Sequence, residues 1–344
     1  MEMFSGRKFV GSHGFALLLG ATLLLFTVPQ LYRSYAASSG MELTWTTGKV
    51  WLKSAECARQ TGTILVICRD DKVLPIADGF GGDDLGHALS LDLATLLTGK
   101  VPTESGISIL NSTVNYVGLA VLALIVFSAG MPLSAFALLT VGTIISNQFH
   151  ALTPHPAQLG AACFAAILPI ALLTARHAAW IATGFLGLIA ALLFREAVGM
   201  MGIVASLLAV GVIAVRDRKW ITSVVLAVAV IATAAAPFGL LRARDIAYDL
   251  PPPEKIESHG TWANLYMGLG AVENPFGIEW SDFSAIDAVK AVDPSVEYLN
   301  PRFYEILKGL YFNTVFAHPV DVASIYFRKI IVTLHTPILY CQIL

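Results

Sequence analysis

The amino-acid sequence predicts an all-α polytopic membrane protein with seven or eight transmembrane helices and two long extracytoplasmic loops. Two observations predict this class. Hydrophobic residues make up 56% of the chain and charged residues only 13%, whereas a soluble domain carries about 25% charged residues. The apolar residues are also gathered into runs that approach the roughly 20 residues needed to cross the hydrocarbon core. The net charge of −2 excludes a basic, nucleic-acid-binding protein.

The apolar runs set the expected organisation of the chain. The predicted membrane helices are 14–31, 114–130, 132–148, 158–174, 178–194, 198–215, 220–241 and a short last one at 330–344. The first run is interpreted as an anchor helix, although its pattern also resembles a secretory signal. The predicted parts are therefore an anchor (1–31), a first outer loop (32–113), a six-helix bundle (114–241), a second outer loop (242–329) and a last membrane helix (330–344).

Basic residues predict the orientation, because short cytoplasmic loops carry an excess of lysine and arginine. With the basic N-terminus inside, the basic turns at 176–177 and 216–219 also fall inside. Both long loops then lie outside, as expected for an integral protein of a bacterial inner membrane with a cytoplasmic N-terminus. In a bacterium the outside is the periplasm, and in a eukaryote it would be a lumen. Arg328 and Lys329 fall on the outer side in this arrangement and are expected to flank an interfacial amphipathic helix at 320–331.

The first outer loop contains Cys57 and Cys68, eleven positions apart. On the outer side of a membrane the two thiols can be oxidised, so we expect a disulfide, with two unpaired thiols as the alternative. The spacing is not that of a zinc site, and no nearby histidine completes one, so no metal site is expected at these cysteines. Residues 43–52 and 63–68 are rich in β-branched and aromatic side chains, which predicts a small hairpin.

A glycine-rich segment at 77–87 follows and contains Asp83 and Asp84. It precedes a predicted short amphipathic helix at 85–97. The two carboxylates have two interpretations. They either cap the helix, or one of them is a general base or a metal ligand at the membrane surface.

The second outer loop interleaves tryptophan and tyrosine with polar residues, notably His259, Trp262, Tyr266 and Asp282. Carbohydrate sites combine an aromatic face for the sugar ring with polar groups for its hydroxyls. The alternative is that the aromatic residues only mark the membrane interface.

Arginines at the ends of apolar runs form a third feature. Arg195 and Glu196 interrupt an apolar hairpin, and Arg242 and Arg244 follow the seventh run. Ionisable residues at membrane depth are functional candidates, and a guanidinium group pairs well with phosphate. A solvated ion pair at the loop tip is the alternative for Arg195 and Glu196. For Arg242 and Arg244 the alternative is a pair of snorkelling side chains at the membrane interface.

The layout resembles the GT-C superfamily of membrane glycosyltransferases, which take a sugar from a polyprenyl-phosphate carrier. Asp83-Asp84 resembles the acidic motif that these proteins carry in the first outer loop. A second similar string is His259-x-x-Trp262-x-x-x-Tyr266-x-Gly268-Leu269-Gly270, followed by Trp280-x-Asp282.

The resemblance implies inverting sugar transfer at the outer face of the membrane. Asp84 or Asp83 would be the base, and Arg195 and Arg242, or a divalent cation, would balance the charge of the leaving lipid phosphate. The four residues singled out in the second loop would shape the sugar or acceptor site, so both loops are expected to meet over one cavity. The expected partners are membrane lipid and a polyprenyl-phosphate sugar.

Two other classes remain open from the residues alone. A non-catalytic subunit or scaffold of a larger membrane complex, bound to other membrane proteins, would use the same outer loops. A transporter is less favoured, because the apolar runs hold almost no charges and show no pair of broken helices in related halves.

Overall fold

The computed structural model describes residues 46–79, 84–146, 157–174, 177–253 and 260–335. The chain divides into two compact units, Met1–Ile76 with Asp83–Pro251 and Ala77–Gly82 with Pro252–Leu344. The described residues form thirteen α-helices, one 3₁₀ helix and one two-stranded antiparallel sheet. The predominantly helical class predicted from the sequence is confirmed.

The elements up to Tyr248 follow one another in this order, and all lie in the first unit except the 3₁₀ helix, whose residues 77–79 belong to the second. They are α1 (Thr46–Thr61), β1 (Val66–Arg69), β2 (Lys72–Pro75), the 3₁₀ helix Ile76–Gly79, α2 (Leu85–Thr98), α3 (Glu104–Ser128), α4 (Pro132–Ser146), α5 (Gln158–Leu173), α6 (Ala178–Phe194), α7 (Glu196–Asp217), α8 (Trp220–Thr233) and α9 (Ala236–Tyr248). The second unit contains α10 (Gly260–Gly268), α11 (Asp282–Val292), α12 (Pro301–Ala317) and α13 (Pro319–His335).

The predicted position of the hairpin is wrong by one strand. Residues 46–52, placed in its first strand, begin α1, and the hairpin pairs β1 with β2 instead. The reason is the spacing of the buried residues. Trp51, Ala55 and Ala58 are fully buried at intervals of four and three, which is the period of a helix face and outweighs the β-propensity of the individual residues.

The predicted disulfide between Cys57 and Cys68 is confirmed, with the two Cα atoms 5.3 Å apart. It joins α1 to β1. Closing a loop of this size stabilises the folded chain by roughly 2–4 kcal/mol, mainly by restricting the unfolded state.

Five of the predicted membrane runs each coincide with one helix, and 220–241 falls on two helices, α8 and α9. The runs 14–31 and most of 330–344 lie outside the described residues. By length and composition, α3 and α7 are each able to cross a membrane, and α8 with α9, bent by 51° at their junction, forms a third candidate. The helices α4, α5 and α6 are apolar but shorter. Two or three candidate spans are therefore established, and seven or eight stays a prediction.

Helix α3 begins at Glu104, well before the predicted membrane run at 114. Hydropathy detects only its apolar part. The first turns carry Ser108, Asn111, Ser112 and Asn115, which are all buried in the protein. A polar stripe that faces other helices lowers the hydropathy of a helix without ending it.

Helix α5 lies at the centre of the bundle, in contact with α3, α6 and α7. The second unit has its own core, where α12 contacts α10, α11 and α13. Phe303, Tyr304 and Leu307 of α12 are buried there. Each unit therefore has the packed interior that an independently stable body requires.

Candidate functional site

Asp84 directly precedes α2 and has a left-handed backbone, with φ 54° and ψ 48°. Aspartate and asparagine enter this region more readily than most residues, and such conformations cluster at functional sites. Its side chain makes no capping hydrogen bond to the helix. The capping interpretation therefore does not describe Asp84. Asp83 lies outside the described residues.

Arg195 forms an ion pair with Asp84. It occupies the break between α6 and α7 with an extended backbone, and its Nη1 atom lies 3.6 Å from Oδ2 of Asp84. The Asp84 side chain is 7% exposed and that of Arg195 is 28% exposed. The distance is that of a charge pair rather than a close bidentate hydrogen bond. Two candidates from separate parts of the sequence therefore meet.

Gly86 and His87, in the first turn of α2, make the contacts that bring Asp84 and Arg195 together. A Cβ atom added at Gly86 would lie only 3.0 Å from the Phe194 ring, so the missing side chain lets α2 rest directly on the last residue of α6. The His87 ring packs edge-on against the same Phe194 ring at 5.1 Å. Because Phe194 precedes Arg195, these contacts position the arginine beside Asp84.

His87 itself is fully buried. Its ring stacks on Trp51 with 4.2 Å between ring centroids and 2° between ring planes. Its Nε2 atom lies 2.7 Å from Oδ1 of Asn111, and since an amide oxygen only accepts, Nε2 carries the proton that is donated. Burial lowers the pKa of His87 to about 4, so the ring is neutral at physiological pH.

Asp92 is a second buried carboxylate of α2. Its Oδ2 atom accepts hydrogen bonds from the Ser54 hydroxyl at 2.9 Å and from the backbone N–H of Leu65 at 2.7 Å. Burial raises the pKa of Asp92 to about 6. The carbonyl of Leu65 accepts a hydrogen bond from Nη1 of Arg244 at 2.8 Å. Asp92 and Arg244 thus both bind the backbone of Leu65 and fix the segment that follows α1.

Sequence reasoning did not single out Trp51, His87 or Asp92. One signal could have found them. In the predicted helix at 85–97, His87 and Asp92 fall on the same face as Ala88 and Leu91, which are apolar. Ionisable residues on the apolar face of a helix are buried when the helix docks, and they then need partners.

In the second unit, Trp262 and Tyr266 of α10 pack into or against the core. Tyr266 is 9% exposed, and burial raises its pKa. Trp262 lies 5.5 Å from the Phe312 ring, and the Lys308 ammonium lies 5.0 Å from the centre of the indole. Lysine over an indole face is a cation–π contact.

The remaining second-loop candidates lie at other places. Asp282 is exposed in the first turn of α11, where a carboxylate interacts favourably with the helix dipole. His259 lies outside the described residues. The expected approach of Asp83 or Asp84 to His259 or Asp282 stays a prediction.

The Gly268–Gly270 part of the second string has a packing role. A Cβ atom at Gly270 would lie 2.5 Å from the carbonyl carbon of Glu279, so only glycine fits. The carbonyl of Gly268 accepts a hydrogen bond from the Lys329 ammonium at 3.2 Å. The glycines therefore close α10 onto the segment that carries Trp280.

Arg242 is exposed on α9, whereas Arg244, the other arginine predicted to bind phosphate, is buried and bonded to Leu65 and Asp245. Among the described residues, no group of three His, Cys, Asp or Glu side chains is placed to hold a metal ion. Comparison with known proteins found no matching family model, curated protein or solved structure. The case for a function therefore depends on the geometry around Asp84.

Proposed function

We propose that the chain is a membrane glycosyltransferase that moves a sugar from a polyprenyl-phosphate carrier to an acceptor at the outer face of a bacterial inner membrane. The proposal includes seven or eight membrane spans, a cytoplasmic N-terminus and both long loops on the outer side. Asp84 is the proposed base, and Arg195 is proposed to bind the lipid phosphate.

The Asp84–Arg195 pair is the observation that carries the proposal. A carboxylate and a guanidinium 3.6 Å apart provide a proton acceptor and a phosphate-binding cation side by side. They lie at the ends of apolar helices, where a lipid-linked substrate would present its head group.

The proposed step is an in-line displacement at the anomeric carbon. The acceptor hydroxyl gives its proton to the Asp84 carboxylate while its oxygen forms the new bond to that carbon. The bond between the carbon and the phosphate oxygen breaks, and the lipid phosphate leaves with the electron pair. Arg195 stabilises the negative charge that develops on the phosphate, and the sugar configuration is inverted.

The other candidates are assigned to the same proposal. Arg242 would be a second cation that binds the lipid phosphate. Asp83 would assist Asp84 or act as the base in its place. His259, Trp262, and Asp282 would contact the sugar or the acceptor. Tyr266 would contribute as a packing residue, since it is buried in the core of its unit.

The burial of Tyr266 favours a second candidate, a non-catalytic subunit or scaffold of a membrane complex. A sugar-binding aromatic needs an accessible face, and Tyr266 is 9% exposed. In this alternative the aromatic string builds the second unit, and other membrane proteins bind to its surface.

Substitution of Asp84 by asparagine tests the transferase proposal. Asparagine tolerates the left-handed backbone of Asp84 but accepts no proton, so transfer should fall by roughly 10²–10⁴-fold. The measurement is release of polyprenyl phosphate from synthetic polyprenyl-phosphate hexoses and pentoses by the purified protein, with membrane extract as the acceptor source.

Asp71→Asn is the matched control. Asp71 has a similar left-handed backbone (φ 60°) in the exposed hairpin turn, and this variant should transfer at the wild-type rate. An Asp84→Asn variant that keeps full activity would remove Asp84 as the base. A protein that releases no lipid phosphate from any donor, and that purifies with stoichiometric protein subunits, would establish the scaffold alternative.

A further inference from the structure

Helix α13 has two contrasting faces. One face packs into the core of the second unit through Val322 and Ile325, which are 5% and 0% exposed. Lys329, on the same face, is bound to the carbonyl of Gly268. These residues recur at intervals of three and four, as one face of a helix requires.

The opposite face exposes large apolar side chains. Val320 is 79% exposed, Phe327 64% and Ile331 40%. Their separations of seven and four positions place them on one line along the helix. We name Val320, Phe327 and Ile331 the apolar stripe. Ile330 borders it on one side at 57% exposure.

The exposed Ser324 lies between Val320 and Phe327 on the same line, but three large exposed apolar side chains along one helix face are still uncommon on a protein surrounded by water. The stripe is bordered on its other side by Asp321 and Arg328, which are both exposed. An apolar face with a charged border is the pattern of helices that lie in the plane of a membrane surface. Arginine beside such a face can bind lipid phosphate.

We propose that the apolar stripe is a membrane-docking surface, with α13 lying in the bilayer interface and Arg328 on the lipid phosphates. The occupant is the bilayer because the same chain carries helices able to cross a membrane, which keeps lipid at a high effective concentration near α13. The last residue of the stripe, Ile331, also lies at the start of 330–344, which the sequence predicts to be apolar and membrane-inserted. This inference does not depend on the transferase proposal.

Nitroxide labels test the proposal in the full-length protein, reconstituted in vesicles of phosphatidylcholine and phosphatidylglycerol. Cys163 and Cys341 are replaced by alanine, and single cysteines are introduced as Val320→Cys and Phe327→Cys. Both positions are exposed, so the label needs no repacking of the core. The measured quantity is the accessibility of the label to oxygen, which concentrates in lipid, relative to a nickel chelate, which stays in water.

Labels at Val320 and Phe327 should be reached by oxygen more than by the nickel chelate. A label at Glu305→Cys is the control, because Glu305 is an exposed polar position on α12, and it should show the reverse. Preferential access of the chelate at Val320 and Phe327 would overturn the proposal. Protection of the labels from both reagents would also overturn the proposal, because it would show that protein covers the stripe. Dipolar coupling between labels would then identify the cover as a second copy of the chain, and no coupling would identify it as another part of the same chain.

Discussion

At the scale of single residues, α2 carries two ionisable side chains that burial affects in opposite ways. The ordinary pKa of histidine, 6.5, falls to about 4 at His87, and the ordinary pKa of aspartate, 3.8, rises to about 6 at Asp92. In both cases burial disfavours the charged form. Both residues therefore link the stability of this region to pH.

The two contributions have opposite signs. His87, with its pKa lowered by folding, contributes stability that is complete above pH 6.5 and is lost as the pH falls towards 4. Asp92, with its pKa raised, contributes stability that is complete below pH 3.8 and is lost as the pH rises through about 6. Each pKa change corresponds to roughly 3 kcal/mol in the free energy of unfolding. Because the two contributions have opposite signs, they should nearly cancel in the wild-type protein.

Single substitutions should separate these contributions. In His87→Gln, the glutamine amide can still donate to Asn111, and the melting temperature should rise as the pH is lowered from 6.5 to 4, by the equivalent of roughly 3 kcal/mol. In Asp92→Asn, the melting temperature should fall as the pH is lowered from 6.5 to 4. Asp70→Asn, in the exposed hairpin turn, should follow the wild type.

Thermal unfolding in detergent, followed by tryptophan fluorescence at several pH values, measures these slopes. The slopes are informative even if each substitution lowers the melting temperature at every pH. Parallel curves for the wild type and both variants would show that folding shifts the pKa of neither residue, and would contradict the effect of burial on His87 and Asp92.

At the scale of secondary-structure elements, α3 and α5 pack backbone to backbone. A Cβ atom at Gly160 would lie 2.4 Å from the carbonyl oxygen of Val114. The backbone N–H of Gly160 also donates to Oδ1 of Asn115 at 2.8 Å. Small residues that allow such close approach are typical of helix pairs in membranes.

Gly160→Ala should therefore lower the stability of the bundle by about 3 kcal/mol or more, because the clash is with rigid backbone atoms. Gly211→Ala in α7 is the matched control, since a Cβ atom there meets no atom within 4 Å. It should leave stability unchanged or raise it by about 0.5–1 kcal/mol through helix propensity. Melting temperatures in detergent test both variants, and equal effects would contradict the close packing of α3 and α5.

The helices were more predictable than the strands. Six apolar runs coincided with helices, because a run of that length has few other stable forms in a membrane. The hairpin was misplaced because Trp51 and its helix-spaced neighbours lie in a segment that is also rich in β-formers. Only the packing of α1 on α2 decides between the two structures.

At the scale of the whole molecule, the number and orientation of the spans stay predictions. The helices α5 and α6 have 16 and 17 residues, and at about 1.5 Å per residue they are shorter than a hydrocarbon core of about 30 Å. They cross it only if the bilayer thins or polar flanking residues extend the span.

Cysteine labelling should establish the orientation. In a protein without Cys163 and Cys341, Glu305→Cys should react with an impermeant maleimide in intact cells, and Lys219→Cys should react only after permeabilisation. Both positions are exposed, so the side of the membrane decides the result. Reaction of Lys219→Cys in intact cells would overturn the orientation derived from the basic turns.

The sequence by itself determined the helical class, the positions of most apolar helices and the Cys57–Cys68 disulfide, because these depend on composition, on periodicity and on thiols close together in the chain. Only the tertiary structure decided that Asp84 meets Arg195, that His87 and Asp92 are buried, and that Tyr266 belongs to a core. Such contacts join residues far apart in sequence. They depend on how closely helices approach, which at α2 is set by the missing side chain of Gly86 against Phe194.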